Sequence, residues 1–389
     1  MIPQASPALA QEWKIKPLLE VRERFESRID RDFDDAIPDR KSSFLTRIRP
    51  GIEVSYGKNW KAQLVYQYTH DLSWTPAKNF SAQGKDLLTG NVQYAKDGLK
   101  VVVGRQKLAI GSERLIGTSD WGNRGRAYDG FYVGGKDYDL FGAKLGLNGI
   151  SVPDARVAGV TKTWSGGQSM LVFKRDKSAG GSDDIWTLDH NWKKTFGAFD
   201  LDAEGAYQFG KSKGADQRAW AVHAGVGYRV PKSQTRLYLE FNAASGGNDG
   251  RTNRTFDQLY SSSHRYYGLM DLQGWRNMNE IALTVEHKLT KTTTANLQWH
   301  AYSLHDASDA WYADNGQPNK WSGGTFIDPT GSSGRDVGQE ITLEFIHRPN
   351  SNWNLSAGVG VLLPGRFIEN ITGSRDRQWW FFAQAVFKL

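Results

Sequence analysis

The sequence predicts an all-β protein, a transmembrane antiparallel β-barrel of about 18 strands with short turns at one end and long loops at the other. Three observations predict it. Apolar and polar residues alternate with period 2 over segments of about 9–16 residues, and almost nowhere does a 3.6-residue stripe appear. The connections between these segments alternate between short and long. Aromatic residues gather beside the short connections, as they do in the interfacial girdle of a barrel.

Composition agrees. The chain has 389 residues, 42 glycines and 12% aromatics, and no run approaches the ~18 apolar residues of a spanning helix. A mean hydropathy of −0.57 excludes a bundle of membrane helices. The formal charge of +7 is modest for this length and argues only weakly for an anionic partner. The absence of cysteine removes disulfides, thiolate metal sites and cysteine nucleophiles together. Residues 1–10 end in Ala8-Leu9-Ala10, an A-x-A-like cleavage site, and read as the tail of a secretory leader, leaving 11–389 as one barrel domain.

Taken in order, the strands are expected at 13–29, 42–57, 59–70, 86–96, 98–106, 126–134, 137–147, 154–164, 167–175, 183–193, 196–211, 215–229, 233–245, 278–289, 292–303, 335–348, 351–363 and 377–389. Tight turns fall at 57–59, 96–98, 134–137, 164–167, 193–195, 230–233, 288–291 and 348–351. Between them lie longer loops, including 71–85, 107–125, 246–277, 304–334 and 364–376. A soluble sandwich has no reason to keep every long loop on one end.

The strand faces separate cleanly in several places. Over 196–209 one face carries Phe199, Leu201, Ala203, Tyr207 and Phe209, and the other Asp200, Asp202, Glu204 and Gln208. Tyr56 and Trp60, Trp164, Trp192 and Phe196, Tyr228 and Trp353 stand beside the tight turns. The last segment puts Trp379, Phe381, Ala383, Ala385, Phe387 and Leu389 on one face and would close the ring against the first strand, leaving no edge in lipid. Two positions resist the pattern. Glu23 shares a face with Val21 and Phe25, so the first strand is bulged there or leaves the membrane early. Arg105 follows Val101 and Val103, and a bulge near Gly104 would be needed to turn it inward. Alternation does not settle the facing of 98–106, 126–134 and 167–175.

Two stretches resemble a known family. One is Gly104-Arg105-Gln106, Gly111, Arg114-Leu115-Ile116-Gly117, Asp120-Trp121, Asn123, Arg126 and Asp129-Gly130. The other is Thr255-Phe256-Asp257-Gln258-Leu259-Tyr260, Tyr267-Gly268, Asp271 and Gly274-Trp275-Arg276-Asn277. Both resemble the alginate export family of Gram-negative outer-membrane barrels. The resemblance implies an 18-stranded barrel with an arginine-lined lumen that passes an acidic polysaccharide outward.

Turning each clean polar face inward makes a lopsided lumen. Strands before about residue 164 would supply Lys14, Lys16, Arg22, Arg24, Arg47, Arg49, Lys61, Lys144, Arg156 and Lys162 against Glu20, Glu26 and Glu53. Later strands would supply Asp189, Asp200, Asp202, Glu204, Glu240, Glu280, Glu286, Glu340 and Glu344, with Arg229 and Arg236. Arginine suits a uronate track because its planar fork binds a carboxylate bidentately. The substrate-binding candidates are therefore Arg22, Arg24, Arg47, Arg49, Arg105, Arg126, Arg236 and Arg366; the alternative is that the first four only pair with Glu20, Glu26 and Glu53.

The expected partners are an anionic, alginate-like polysaccharide, outer-membrane lipids and periplasmic secretion components. No catalytic residues, cofactor, metal or nucleic acid are expected; the cluster Asp200, Asp202 and Glu204 reads as charged wall, and His300, His305 and Asp306 straddle a strand end with poor ligand spacing. Two other readings stay open, a general or small-anion porin and a soluble β-rich lyase or lectin. Any plug is expected from the loops at 71–85 or 107–125, because the opposite turns are short.

Overall fold

Backbone groups in hydrocarbon have no water to bond, so strands can cross only if every edge is paired, and the register of this chain shows how that is met. The computed structural model describes residues 12–33, 39–73, 83–146, 155–177 and 181–389. The expected leader tail at 1–10 and most of the loop at 71–85 lie outside them.

Among the described residues eighteen long strands follow one another: β1 (Trp13–Ile29), β2 (Lys41–Tyr56), β3 (Trp60–Ser73), β4 (Gly84–Lys96), β5 (Leu99–Gln106), β6 (Ala127–Gly134), β7 (Tyr138–Gly146), β8 (Arg156–Trp164) and β9 (Gly167–Asp176) form the first half. The second half is β10 (Asp183–Phe196), β11 (Phe199–Ser212), β12 (Ala215–Arg229), β13 (Thr235–Ala244), β14 (Met278–Lys288), β15 (Thr293–Ser303), β16 (Asp336–His347), β17 (Trp353–Pro364) and β18 (Gln378–Lys388). Each pairs antiparallel with its neighbour. β18 pairs with β1 from Glu20↔Lys388 to Ile29↔Trp379, which closes the barrel.

Eight connections at one end have two to five residues, and most at the other are far longer. The fifth short turn sits at 197–198, not at 193–195: Phe196 pairs with Phe199, and Gly197 supplies the positive φ, 57°, that a two-residue hairpin needs. Aromatic pairs ring the short-turn end, Trp13 with Tyr56, Trp60 with Tyr94, Phe199 with Tyr228 and Trp353 with Phe387, at centroid distances of 4.6–5.2 Å. Above them the outer face is apolar, through Leu140, Val160, Leu188 and Tyr207 and then Val103, Phe131, Trp186 and Phe209, all exposed.

The two irregular positions resolve without bulges. The β1–β2 register runs unbroken through Glu23, which stays on the outer face and accepts a 2.8 Å hydrogen bond from the Thr46 hydroxyl. The β4–β5 and β5–β6 registers are unbroken through Gly104. Its φ of 116° answers a close approach, since an added Cβ would lie 2.4 Å from the Gly90 carbonyl oxygen.

The lumen is not a plain water-filled tube. Loops 107–126, 245–277 and 304–335 fold inward onto two apolar clusters. Leu108, Ile110, Leu115, Ile116, Phe256, Tyr260 and Trp275 pack on Tyr128, Phe141, Val157, Met170 and Val172 of the inner wall. Leu269, Met270, Trp311 and Phe326 pack with Phe367, Ile368, Trp380 and Phe382. An inner wall covered by apolar loop side chains has to be apolar itself. This fixes the facing of β5, β6 and β9, whose inward residues are Val102, Tyr128, Met170 and Val172, and it reverses the expected facing of Lys144, Arg156 and Lys162 on β7 and β8.

Candidate pore and its inner loops

Packing the loops against β5–β14 leaves the opposite side open. There a cavity of about 1330 Å³ runs beside β1, β2, β17 and β18, from Lys41 near the long loops to Arg348 and Lys388 at the short-turn end. Among the described residues it is lined by twelve Lys or Arg and six Asp or Glu.

The basic side begins as a strand pattern. Arg22, Arg24 and Arg28 share the inner face of β1 with Glu20 and Glu26, and Arg47 and Arg49 stand on β2, opposite Arg22 and Glu20. Glu20 takes Arg47 at 2.7 Å and Arg49 at 3.1 Å, with Lys388 at 3.2 Å across the closing seam. Arg24 pairs with Glu26 at 3.5 Å. Cross-strand pairing therefore accounts for part of the cluster, as the sequence allowed.

The rest of its donors go to the loop. Arg22 donates to the carbonyls of Asp120, Trp121 and Gly122 at 2.9–3.1 Å and to Asn123 Oδ1 at 3.0 Å. Arg24 donates to the Trp121 carbonyl at 2.9 Å, and Arg47 to those of Asp120 and Gly122 at 2.8 and 3.1 Å. Three arginine forks thus hold a row of backbone oxygens at the tip of loop 107–126. The Trp121 ring lies between the Arg24 guanidinium, 4.2 Å from its centroid, and the stacked His264 ring at 3.8 Å. Burial alone would raise the Asp120 carboxyl, but Lys107 and Arg49 hold it below the usual carboxylate range.

The two motif-bearing stretches meet at the base of this loop. Gly117 N–H donates to the Tyr260 carbonyl at 2.9 Å and Tyr260 N–H to the Leu115 carbonyl at 2.8 Å. A Cβ on Gly117 would fall 2.2 Å from Ser262 Oγ, so only glycine fits. Arg126 fastens the junction, donating to the carbonyls of Gly117, Tyr260 and Ser261.

The acidic side follows the expected order. Asp189, Glu204, Glu240, Glu280 and Glu340 are buried on the inner faces of β10–β16. Arg114 crosses to them from the loop, 3.6 Å from Glu204 and 3.8 Å from Glu240, and donates to the Tyr267 hydroxyl at 3.0 Å. It serves as counter-ion of that wall and does not line the cavity.

Of the eight candidates, Arg22, Arg24, Arg47 and Arg126 line the cavity, and Arg49 backs them. Three lie elsewhere. Arg105 stands on the outer face with Val103, in a bidentate pair with Asp129 at 2.7 Å for both bonds. Arg236 sits near the short-turn end against Asp200 at 2.5 Å. Arg366 opens α1 (Arg366–Thr372) and is exposed. Sequence reasoning missed Arg28, Lys41, Arg265, Lys320, Arg348 and Lys388, which also line the cavity. Only Arg28 had a local signal, as the next inward residue in the series Arg22, Arg24, Glu26.

A closed barrel of eighteen strands with loops folded into a charged lumen is an outer-membrane channel. The family model described as alginate export matches residues 17–142 and 161–382, and the chain belongs to that family. A comparison with curated proteins finds no match. Among solved structures the chain is similar to Pseudomonas aeruginosa OpdQ, with TM-score 0.65 and 10% identity over 96% of this chain and 98% of that one. P. aeruginosa OccK2 (OpdF) gives 0.64 and 10% over 96% and 97%. The same protein in complex with glucuronate gives 0.62 and 10% over 96% and 98%. At such identities these likenesses concern the fold alone.

Proposed function

We propose that this channel passes an anionic, alginate-like polysaccharide outward along the basic side of its lumen. The observation that carries the reading is the excess of cations along one continuous cavity, from Lys41 past Arg28 and Arg24 to Arg348 and Lys388. A uronate chain carries one carboxylate per sugar, and a file of guanidinium and ammonium groups lets it exchange partners without leaving the wall. Family membership supports the substrate class, and periplasmic secretion components would then deliver the chain. A second reading, a channel for small carboxylates, is favoured by the loop tip that occupies three of the arginine forks and by the glucuronate bound to OccK2.

Ion selectivity tests the charge assignment common to both. At about pH 6 the reversal potential in a KCl gradient should show chloride preferred over potassium; preference for potassium contradicts the proposal. The preference should fall as pH rises through the range of Asp314. Burial and the like charge of Asp271 push its carboxyl up to about 8, so it is neutral below that pH and adds a negative charge to the cavity above it. Asp314→Asn should flatten this step.

A further inference from the structure

Where β1 and β2 leave the barrel at the long-loop end, three carboxylates come together. Arg28↔Lys41 is the last pair of the β1–β2 register, and Asp30 and Asp39 each lie two residues beyond it on the two arms. With Asp32 they bring one carboxylate oxygen each to within 4.8 Å of the others. Spacing alone gives no such signal, because Asp39 is seven residues from Asp32; the hairpin supplies the third carboxylate.

Three like charges this close repel unless a cation stands between them. Asp32 is only 5% exposed, and its Oδ1 is buried without a hydrogen-bond donor, as is Oδ1 of Asp39. An ionised carboxylate buried in this way is strongly unfavourable. The protein's own cations do not relieve it. Arg28, two residues before Asp30, is engaged by Glu26 at 3.2 Å and Asp271 at 4.0 Å, and among the described residues no lysine or arginine pairs with Asp32 or Asp39. Oxygens on opposite sides of a calcium ion lie about 4.6–5.2 Å apart, twice the usual ligand distance, so the three carboxylates are close enough to share one ion.

We propose that Asp30, Asp32 and Asp39 bind one calcium ion, and that the ion sets the charge at the mouth of the cavity. Calcium accepts irregular sets of oxygen ligands on loops, whereas magnesium demands an octahedron and keeps several waters, so the site prefers calcium. Arg31, Phe33 and Lys41, interleaved with the three carboxylates along the chain, line the cavity. The ion therefore offsets acidic charge beside a basic entrance, within the range over which salt leaves charges visible to one another. This holds whichever solute the channel passes.

The test titrates the detergent-purified full chain, stripped with chelator, with calcium and separately with magnesium in a calorimeter. One calcium per chain should bind, at least tenfold tighter than magnesium. D32N and D39N, each alone, should weaken calcium binding at least tenfold. D249N, in an exposed turn of loop 245–277, should leave it unchanged. Asparagine removes repulsion among the three side chains, so D32N and D39N should keep parental heat-modifiable gel mobility in chelator. In planar bilayers, calcium added on the long-loop side should raise the chloride preference of the parent about twofold and leave that of D32N unchanged. Absence of binding, equal affinity for the two metals, parental affinity in both D32N and D39N, or the same change of selectivity in D32N as in the parent would each overturn the proposal.

Discussion

Replacing Arg22, Arg24 and Arg47 together by glutamine is expected to release the tip of loop 107–126 and raise single-channel conductance several-fold. The three side chains make seven hydrogen bonds to 120–123, six of them to backbone carbonyls. Bonds from a charged donor contribute about 1.5–3 kcal/mol each, so the variant removes seven strong ties at once. It leaves the tip on the ion pairs of Asp120 with Lys107 and Arg49, the Asn123 bonds to the Thr46 and His70 carbonyls, and the ring contacts of Trp121. The base of the loop should stay docked, because Leu108, Ile110, Leu115 and Ile116 remain in the apolar cluster. The channel should become wider and less anion-selective. Unchanged conductance would show that the tip is held by something other than these forks.

The second large effect concerns stability. Arg114→Met should lower the unfolding free energy by about 3–5 kcal/mol, the usual result of leaving buried carboxylates without their counter-ion. The guanidinium is nearly inaccessible, contacts Glu204 and Glu240, and lies 3.9 Å over the Tyr266 ring. Methionine keeps the volume and removes the charge. Adding Glu204→Gln and Glu240→Gln should restore much of the loss, since amides need no cation. Urea unfolding followed by gel mobility reads both variants, and a triple variant no more stable than R114M would mean that packing, not charge, sets the role of Arg114.

How much of this was legible in the sequence depended on where water lies. Strand positions were readable to within a few residues because pairing and turn chemistry are local. The basic face of β1 and β2 was readable because it borders an open cavity, so polar did mean inward. On β7 and β8 the same rule failed. Phe141 and Val157 face inward to meet the loop, and Lys144 and Arg156 face out; alternation reports two faces but not which one a distant loop will cover. Arg105 misled for the same reason, its motif being kept beside a strand end whose outer face accepts a charge paired with Asp129. Arg348 lies in a short turn, outside any strand face that alternation reads, and Lys388 ends the closing strand, where its ion pair with Glu20 forms only across the seam.

That the basic side of the lumen is a track for uronate chains is tested most directly by current block. A single channel in a planar bilayer is exposed to a purified oligouronate and, separately, to a neutral oligosaccharide of equal length. The oligouronate should interrupt the current, the neutral sugar should not, and R28Q/R348Q/K388Q should shorten the blocks by at least tenfold. Equal block by both sugars, or undiminished block in the triple variant, would contradict it.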